Sequence, residues 1–210
     1  MFKFWRKRRF HLFLKTVQPQ PTDIILDVGG YPDFWISAPR ISQRIDILNI
    51  HPIHLPPHQT SAHEFHFIEG NGCALAMKNC SYDIGFSNSV IEHVGTWNDQ
   101  QRFAAEIRRV GNALWIQTPA YECPIEPHYL TPFAHYLPRI VQKKVLRWTS
   151  VWGWVQRPPQ SEIDAMVESI RLLTKSEMKK LFPDCIIITE RLLGIFPKSY
   201  IAFRLKQQAA

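Results

Sequence analysis

The feature that most narrows the possible folds is a spaced series of apolar runs, each of strand length, the first of which stops at two glycines. Residues 24–28 read Ile-Ile-Leu-Asp-Val and pass directly into Gly29-Gly30. A short, nearly continuous apolar run bounded by a turn signal is the pattern of a strand covered on both faces. Residues 44–50, 64–68, 82–87 and 112–117 repeat it. Residues 97–110 have helical spacing instead, with Phe103, Ile107 and Val110 on one side. A weaker helical stretch over 34–43 is interrupted by Pro39. Strands separated by helices or loops predict a mainly parallel α/β sheet, because parallel neighbours need crossover connections.

After Pro138 the pattern changes. Residues 139–157 are basic, carry Trp148, Trp152 and Trp154, and end at Pro158-Pro159. Residues 162–173 read as an amphipathic helix, and Thr174-Lys175-Ser176-Glu177 opens another with a capping box. Residues 185–189 and 199–204 read as two closing strands. The expected organisation is a basic, aromatic tail over 1–18 and one domain over 19–204. Within that domain an inserted, largely helical segment covers about 139–173, and 205–210 form a short C-terminal tail. There is no internal repeat.

Charge has to be located before it is interpreted. The chain has 210 residues and a formal charge of +7. Lys3, Arg6, Lys7, Arg8, Arg9 and Lys15 put six positive and no acidic groups in the first fifteen residues. The remainder is close to neutral, which argues against a nucleic-acid groove across the fold. A helix over residues 1–15 suits an anionic membrane surface, or else packs its apolar side on the body. Cys73, Cys80, Cys123 and Cys185 form no Cys-x-x-Cys pair. No leader-like or membrane-spanning apolar stretch is evident, so a cytoplasmic protein with free thiols is expected.

Ligands of open α/β sheets bind at the carboxyl ends of the strands. Those ends carry Asp27-Val28-Gly29-Gly30, Asn49, Gly70-Asn71, Ser87-Asn88 and Thr118-Pro119. A dinucleotide fingerprint needs Gly-x-Gly-x-x-Gly, whereas Gly30 is followed by Tyr31-Pro32-Asp33-Phe34-Trp35. The Gly-x-x-x-x-Gly-Lys-Ser/Thr phosphate loop is absent too. A nucleoside cofactor without phosphate is favoured.

With those residues in place the chain resembles the class I S-adenosylmethionine-dependent methyltransferases, specifically the type 11 group. The resemblance is carried by Ile25-Leu26-Asp27-Val28-Gly29-Gly30, by Gly70-Asn71-Gly72-Cys73-Ala74-Leu75, and by residues 81–94, which include Ser87-Asn88-Ser89-Val90-Ile91-Glu92-His93-Val94. Glu106-Ile107-Arg108-Arg109-Val110 and Gln117-Thr118-Pro119 complete it. It covers about 22–138 and, more faintly, 173–204. It implies a Rossmann-like, mainly parallel seven-stranded sheet with a reversed last strand, and S-adenosylmethionine as cofactor. In that pattern Gly29 and Gly30 admit the methionine end and Asp27 helps hold its amino group. Asn49 meets the ribose, Asn71 and Gly72 face the adenine edge, and Ser87 and Asn88 floor the reactive methyl. Two departures stand out: the family usually has an acidic residue where Asn49 stands and an aspartate where Asn71 stands. Neutral hydrogen bonds contribute about 1 kcal/mol against roughly 1.5–3 for charged ones, so each exchange weakens binding without abolishing it.

The reaction the resemblance implies is in-line methyl transfer, in which the protein chiefly orients the partners. His128 and His93 are the candidate catalytic groups; Tyr121, Glu126 and Tyr129 are the candidate acceptor contacts. The expected acceptor is a small molecule, a glycan or a lipid precursor. Two alternatives stay open: a non-catalytic relative that binds a partner or membrane through its basic tail, and an RNA methyltransferase. His51, His54, His58, His63 and His66 crowd one loop, but Pro52, Pro56 and Pro57 prevent helical pairing, so no metal site is expected. Oligomeric state cannot be read from these residues.

Overall fold

The computed structural model describes residues 2–36, 38–53, 55 and 61–206, with side chains from residue 5 onward. The side chains of Phe2, Lys3 and Phe4 in the basic tail, and His54 and His58 of the histidine-rich loop, lie outside the described residues. Five apolar runs become parallel strands: β1 (Ile24–Val28), β2 (Arg44–Asn49), β3 (Glu64–Glu69), β4 (Tyr82–Asn88) and β5 (Gly111–Pro119). The closing pair is β8 (Ile186–Leu192) and β9 (Phe196–Arg204). The sheet order is β3-β2-β1-β4-β5-β9-β8, with β9 antiparallel to both of its neighbours. This is the expected seven-stranded, mainly parallel architecture with a reversed strand. Order reverses between β1 and β4, so the carboxyl ends of β1 and β4 diverge into a crevice.

One face is aliphatic. α2 (Trp97–Val110), capped by the reciprocal Thr96–Asp99 pair, lays Phe103, Ile107 and Val110 against Leu26 and Leu114. α6 (Lys175–Leu181), with an equivalent Thr174–Glu177 cap, adds Met178 and Leu181 to the same cluster. Each fully buried side chain of this size contributes roughly 1.5–3 kcal/mol relative to exposure.

The opposite face is aromatic, and here the structure departs from expectation. The described residues of the 34–43 segment form no α-helix; a short 3-10 turn, Pro32–Phe34, stands at its start. Pro39 cannot donate to a continuing helix, and Trp35 is instead drawn fully into the core. The space a crossover helix would cover is filled by α1 (Phe2–Val17), the segment read from sequence as a tail. Phe13 is 0 % exposed and meets Phe86 and Trp115 edge-on at 5.2 and 5.5 Å. Trp35 sits 4.8 Å from Phe86. Arg9 is buried, with Nη1 donating to Asn88 Oδ1 at 2.9 Å and Nε to Glu190 Oε2 at 3.2 Å. The helix is thus part of the domain, while Arg6, Lys7, Arg8 and Lys15 remain exposed.

Between β5 and β8 the chain makes a two-strand hairpin, β6 (Ile125–Glu126) with β7 (Thr131–Pro132). It then forms α3 (Arg139–Thr149), α4 (Val151–Gln156) and α5 (Gln160–Ser169). A separate small core holds this layer together, built from Tyr129, Leu146, Ile163 and Val167. Trp152 packs near Tyr129, but Trp148 and Trp154 are 71 % and 62 % exposed. Among the described residues no helix is long and apolar enough to cross a membrane.

Candidate functional site

A cleft of about 480 Å³ opens at the carboxyl ends of β1 to β4. Four of the residues expected to meet the cofactor, Gly29, Asn49, Asn71 and Gly72, line it, together with the candidate catalytic His93 and with Tyr31, Ile50, Val90 and Phe103. Its volume lies within the range of small-molecule sites, about 300–1,000 Å³. Two glycines make it possible. Gly29 has φ +78°, and a Cβ there would stand 2.4 Å from the Val90 side chain. A Cβ on Gly72 would stand 2.8 Å from Val28 and 2.9 Å from Phe103.

The asparagines are partly committed to local backbone. Asn49 Nδ2 donates to the Gly30 carbonyl at 3.3 Å, and its Oδ1 accepts from Ile50 N–H at 2.8 Å. Asn71 Oδ1 accepts from Cys73 N–H at 2.8 Å, tying the β3 exit turn and leaving its amide NH₂ for a ligand. Gly30 closes the loop through that carbonyl and does not itself line the cleft.

Besides Gly30, three further expected cofactor contacts are placed elsewhere. Asp27 is 1 % exposed and lies beneath the loop, accepting from Trp35 Nε1 at 2.7 Å. Strand alternation explains this: Asp27 shares the face of Ile25, which packs in the aromatic cluster with Trp35. Burial raises its pKa to about 7 against the opposing Trp35 hydrogen bond. Ser87 is fully buried, with Oγ donating to the Val28 carbonyl at 3.0 Å. Asn88 is occupied by Arg9. None of the three lines the cleft.

A second cavity, also about 480 Å³, lies under the inserted layer. The three candidate acceptor contacts Tyr121, Glu126 and Tyr129 line it, joined by His135, Gln142 and Arg171, which sequence reasoning did not single out. No spacing pattern linked those three to the strand ends; each arrives from a distant segment. His135 hydrogen-bonds the Tyr121 carbonyl at 2.9 Å through Nε2. Arg171 donates to Gln100 Oε1 at 2.7 Å and Glu177 Oε1 at 2.6 Å, and its guanidinium lies 5.0 Å from the Trp97 ring centroid.

The wall between the two cavities is a line of ionisable groups. Glu126, 0 % exposed and facing the second cavity, is 2.5 Å from His128 Nδ1. The His128 ring meets His93 edge-on at 4.9 Å, and His93 lines the first cleft. Glu92 completes the group: Oε2 accepts from Thr118 Oγ1 at 2.9 Å, and Oε1 is buried without a hydrogen-bond partner. Its backbone is fixed by Arg171 N–H at 2.8 Å. Burial raises Glu92 to about 7. Burial and the neighbouring His128 lower His93 to about 4. Burial pulls His128 down as well, but the Glu126 hydrogen bond and the Glu126 and Glu92 charges leave its pKa raised overall. The two histidines singled out from sequence are therefore brought together. Glu92, quoted only as part of a motif, is the member that spacing could not have paired with Thr118 and His128.

The model of the methyltransferase domain family matches residues 48–113. No curated protein matches by sequence. Among solved structures, an S-adenosylmethionine-dependent methyltransferase from Methanosarcina mazei superposes with TM-score 0.54 at 15 % identity, covering 95 % of this chain and 98 % of that one. The 1,6-didemethyltoxoflavin-N1-methyltransferase of Burkholderia thailandensis gives 0.57 at 10 %, covering 94 % and 76 %. The small RNA methyltransferase HEN1 gives 0.58 at 17 %, covering 97 % of this chain but 26 % of that one. Residues 48–113 thus match the methyltransferase domain family, and the chain as a whole shares the fold of these solved structures.

Proposed function

We propose that this class I methyltransferase domain binds S-adenosylmethionine in the β1–β4 cleft and methylates a small-molecule, glycan or lipid-precursor acceptor held in the adjoining cavity. One observation carries the reading: two cavities of small-molecule size are linked through contacting side chains, His93 lining the first, Glu126 the second, and His128 touching both.

The cleft suits the nucleoside part of this cofactor, which carries no phosphate. Leu48, Ile50 and Phe103 offer apolar surface for a base, and Asn49 and Asn71 offer neutral hydrogen bonds at its polar edges. The glycine backbone at Gly29 and Gly72 allows close approach. When bound, S-adenosylmethionine supplies a methyl group made electrophilic by its sulfonium. The chain then has to position an acceptor and keep water out. Tyr121 and Tyr129 wall the acceptor cavity, and His93 and His128 stand where its reactive atom would meet the cleft. Asp27 and Ser87 act in this reading from below, by holding the loop and the strand end.

The acceptor cavity favours a small or amphiphilic molecule over RNA. Its arginines are already paired, Arg139 with Glu168 and Arg171 with Glu177. Leu137, at its edge, and Ile140, one residue from the lining Arg139, are 41 % and 72 % exposed. An acceptor with an apolar tail would cover that rim, which supports the lipid-precursor end of the range.

Calorimetric titration with S-adenosylhomocysteine and tritiated methyl transfer to candidate acceptors test the proposal. Saturable binding at one site is expected. No heat and no thermal stabilisation at millimolar ligand would instead favour a non-catalytic relative. Steeply salt-dependent RNA binding that survives neutralising the exposed α1 cations would favour the RNA reading.

A further inference from the structure

We infer that Glu92, His93 and His128 form a binding site for a divalent first-row transition-metal ion on the wall between the two cavities. One ligand atom from each residue lies within 4.8 Å of the others. Bonds of about 2.0–2.2 Å to an ion bring such atoms to roughly 3–3.5 Å apart, so the most distant pair has to close by up to about 1.3–1.8 Å.

Several independent features point to a cation. Glu92 is 0 % exposed, and its Oε1 has no hydrogen-bond partner. An unsatisfied buried oxygen is costly, and a cation bound there removes that cost. Oε2 is meanwhile held by Thr118 and the Glu92 backbone by Arg171, so the carboxylate is aimed before any ion arrives. Metal-binding imidazoles usually give their second nitrogen to a carboxylate or carbonyl, which fixes ring orientation. His128 Nδ1 is committed to Glu126, leaving Nε2 as the remaining ring nitrogen. Arg9, whose charge acts on Glu92, is already held by Asn88 and Glu190.

Two imidazoles and one carboxylate suit Zn²⁺, Co²⁺, Mn²⁺ or Fe²⁺ and disfavour Mg²⁺ and Ca²⁺, which select oxygen ligands. Three protein ligands leave a position open. With His93 in the cleft and Glu126 in the acceptor cavity, that position is available to an oxygen or nitrogen of the acceptor. The histidine-rich loop is not this site. Of its described members, His63 is buried and receives Ile41 N–H, and His66 pairs with Glu64.

The test uses the full chain, stripped with EDTA and titrated without cofactor or acceptor. Calorimetry with Zn²⁺ should saturate at one ion per chain, and Co²⁺ should develop ligand-field absorption of a mixed nitrogen–oxygen site. Glu92→Gln and His128→Asn should each weaken binding at least tenfold, and Glu126→Gln should weaken it about 10–100-fold through His128. The pair His51→Asn and His66→Asn should change neither stoichiometry nor affinity. Absence of saturable binding by the unaltered chain overturns the inference, as does undiminished binding in folded Glu92→Gln and His128→Asn, or its loss with the loop pair. Should those site variants unfold, the Co²⁺ spectrum of the unaltered chain decides: a site without nitrogen ligands refutes it. Because no cofactor is present, failure here leaves the methyl-transfer reading standing, and a failed S-adenosylhomocysteine titration leaves the metal site standing.

Discussion

The two cavities are built by opposite means. The cleft over β1–β4 is shaped by backbone: strand ends, a positive-φ glycine, and asparagines bonded to their own turns. The cavity under the inserted layer is shaped by side chains meeting across long sequence distances, such as Arg171 with Gln100, 71 residues apart. Backbone-built sites have few adjustable parts and tolerate little intrusion. Side-chain-built sites spread their support over several bonds, so each can be removed at moderate cost.

The sharpest way to break this contrast is Gly29→Ala. The new methyl would meet Val90 at 2.4 Å in a left-handed backbone region. A loss of at least about 100-fold in S-adenosylhomocysteine affinity is expected, equivalent to about 3 kcal/mol. Calorimetry finding a loss below tenfold would mean that the loop can yield as a side-chain network does.

A slightly smaller effect concerns the support beneath that loop. Asp27 is raised to about 7 when folded and is near 3.8 when unfolded, so the native state holds the proton more tightly. Native stability therefore falls as pH rises through that window, and the full cost of the ionised form is present above about pH 7. Asp27→Asn removes the titration. Relative to the unaltered chain, the variant should gain on the order of 2–3 kcal/mol between pH 5 and pH 8 in urea unfolding. A difference that does not vary with pH would show that Asp27 stays ionised beside Trp35.

The smallest effect belongs to the other region. Arg171→Ala loses two hydrogen bonds and the Trp97 stacking but keeps the backbone link to Glu92. It should cost about 1–2 kcal/mol of stability while changing S-adenosylhomocysteine affinity by less than about threefold. A larger change in affinity would show that the two cavities are mechanically joined.

The same contrast explains what could be read from sequence. Each strand and α2 announce themselves locally, through apolar runs, glycines and caps, and local signals suffice for a site made at strand ends. Gly29, Asn49, Asn71 and Gly72 were legible for that reason. Asp27 was misplaced because a motif position was weighed above strand alternation, which puts it on the face of Ile25 and Trp35. The pairing of Glu92 with Thr118 and His128, and the entry of Arg171, are tertiary facts without a sequence period. The α1 segment misled in another way: its charge was visible, but the contacts that bury Arg9 lie at the far end of the chain.

Those contacts have a consequence for biosynthesis. Arg9 is clasped to Glu190 across 181 positions, and Asp23 to Lys206 across 183. During translation α1 emerges with Phe10 and Phe13 uncovered and waits until β8 has been made for the Glu190 contact that anchors it. Shielding by a chaperone or by the ribosome surface during that interval would bear directly on the yield of soluble protein.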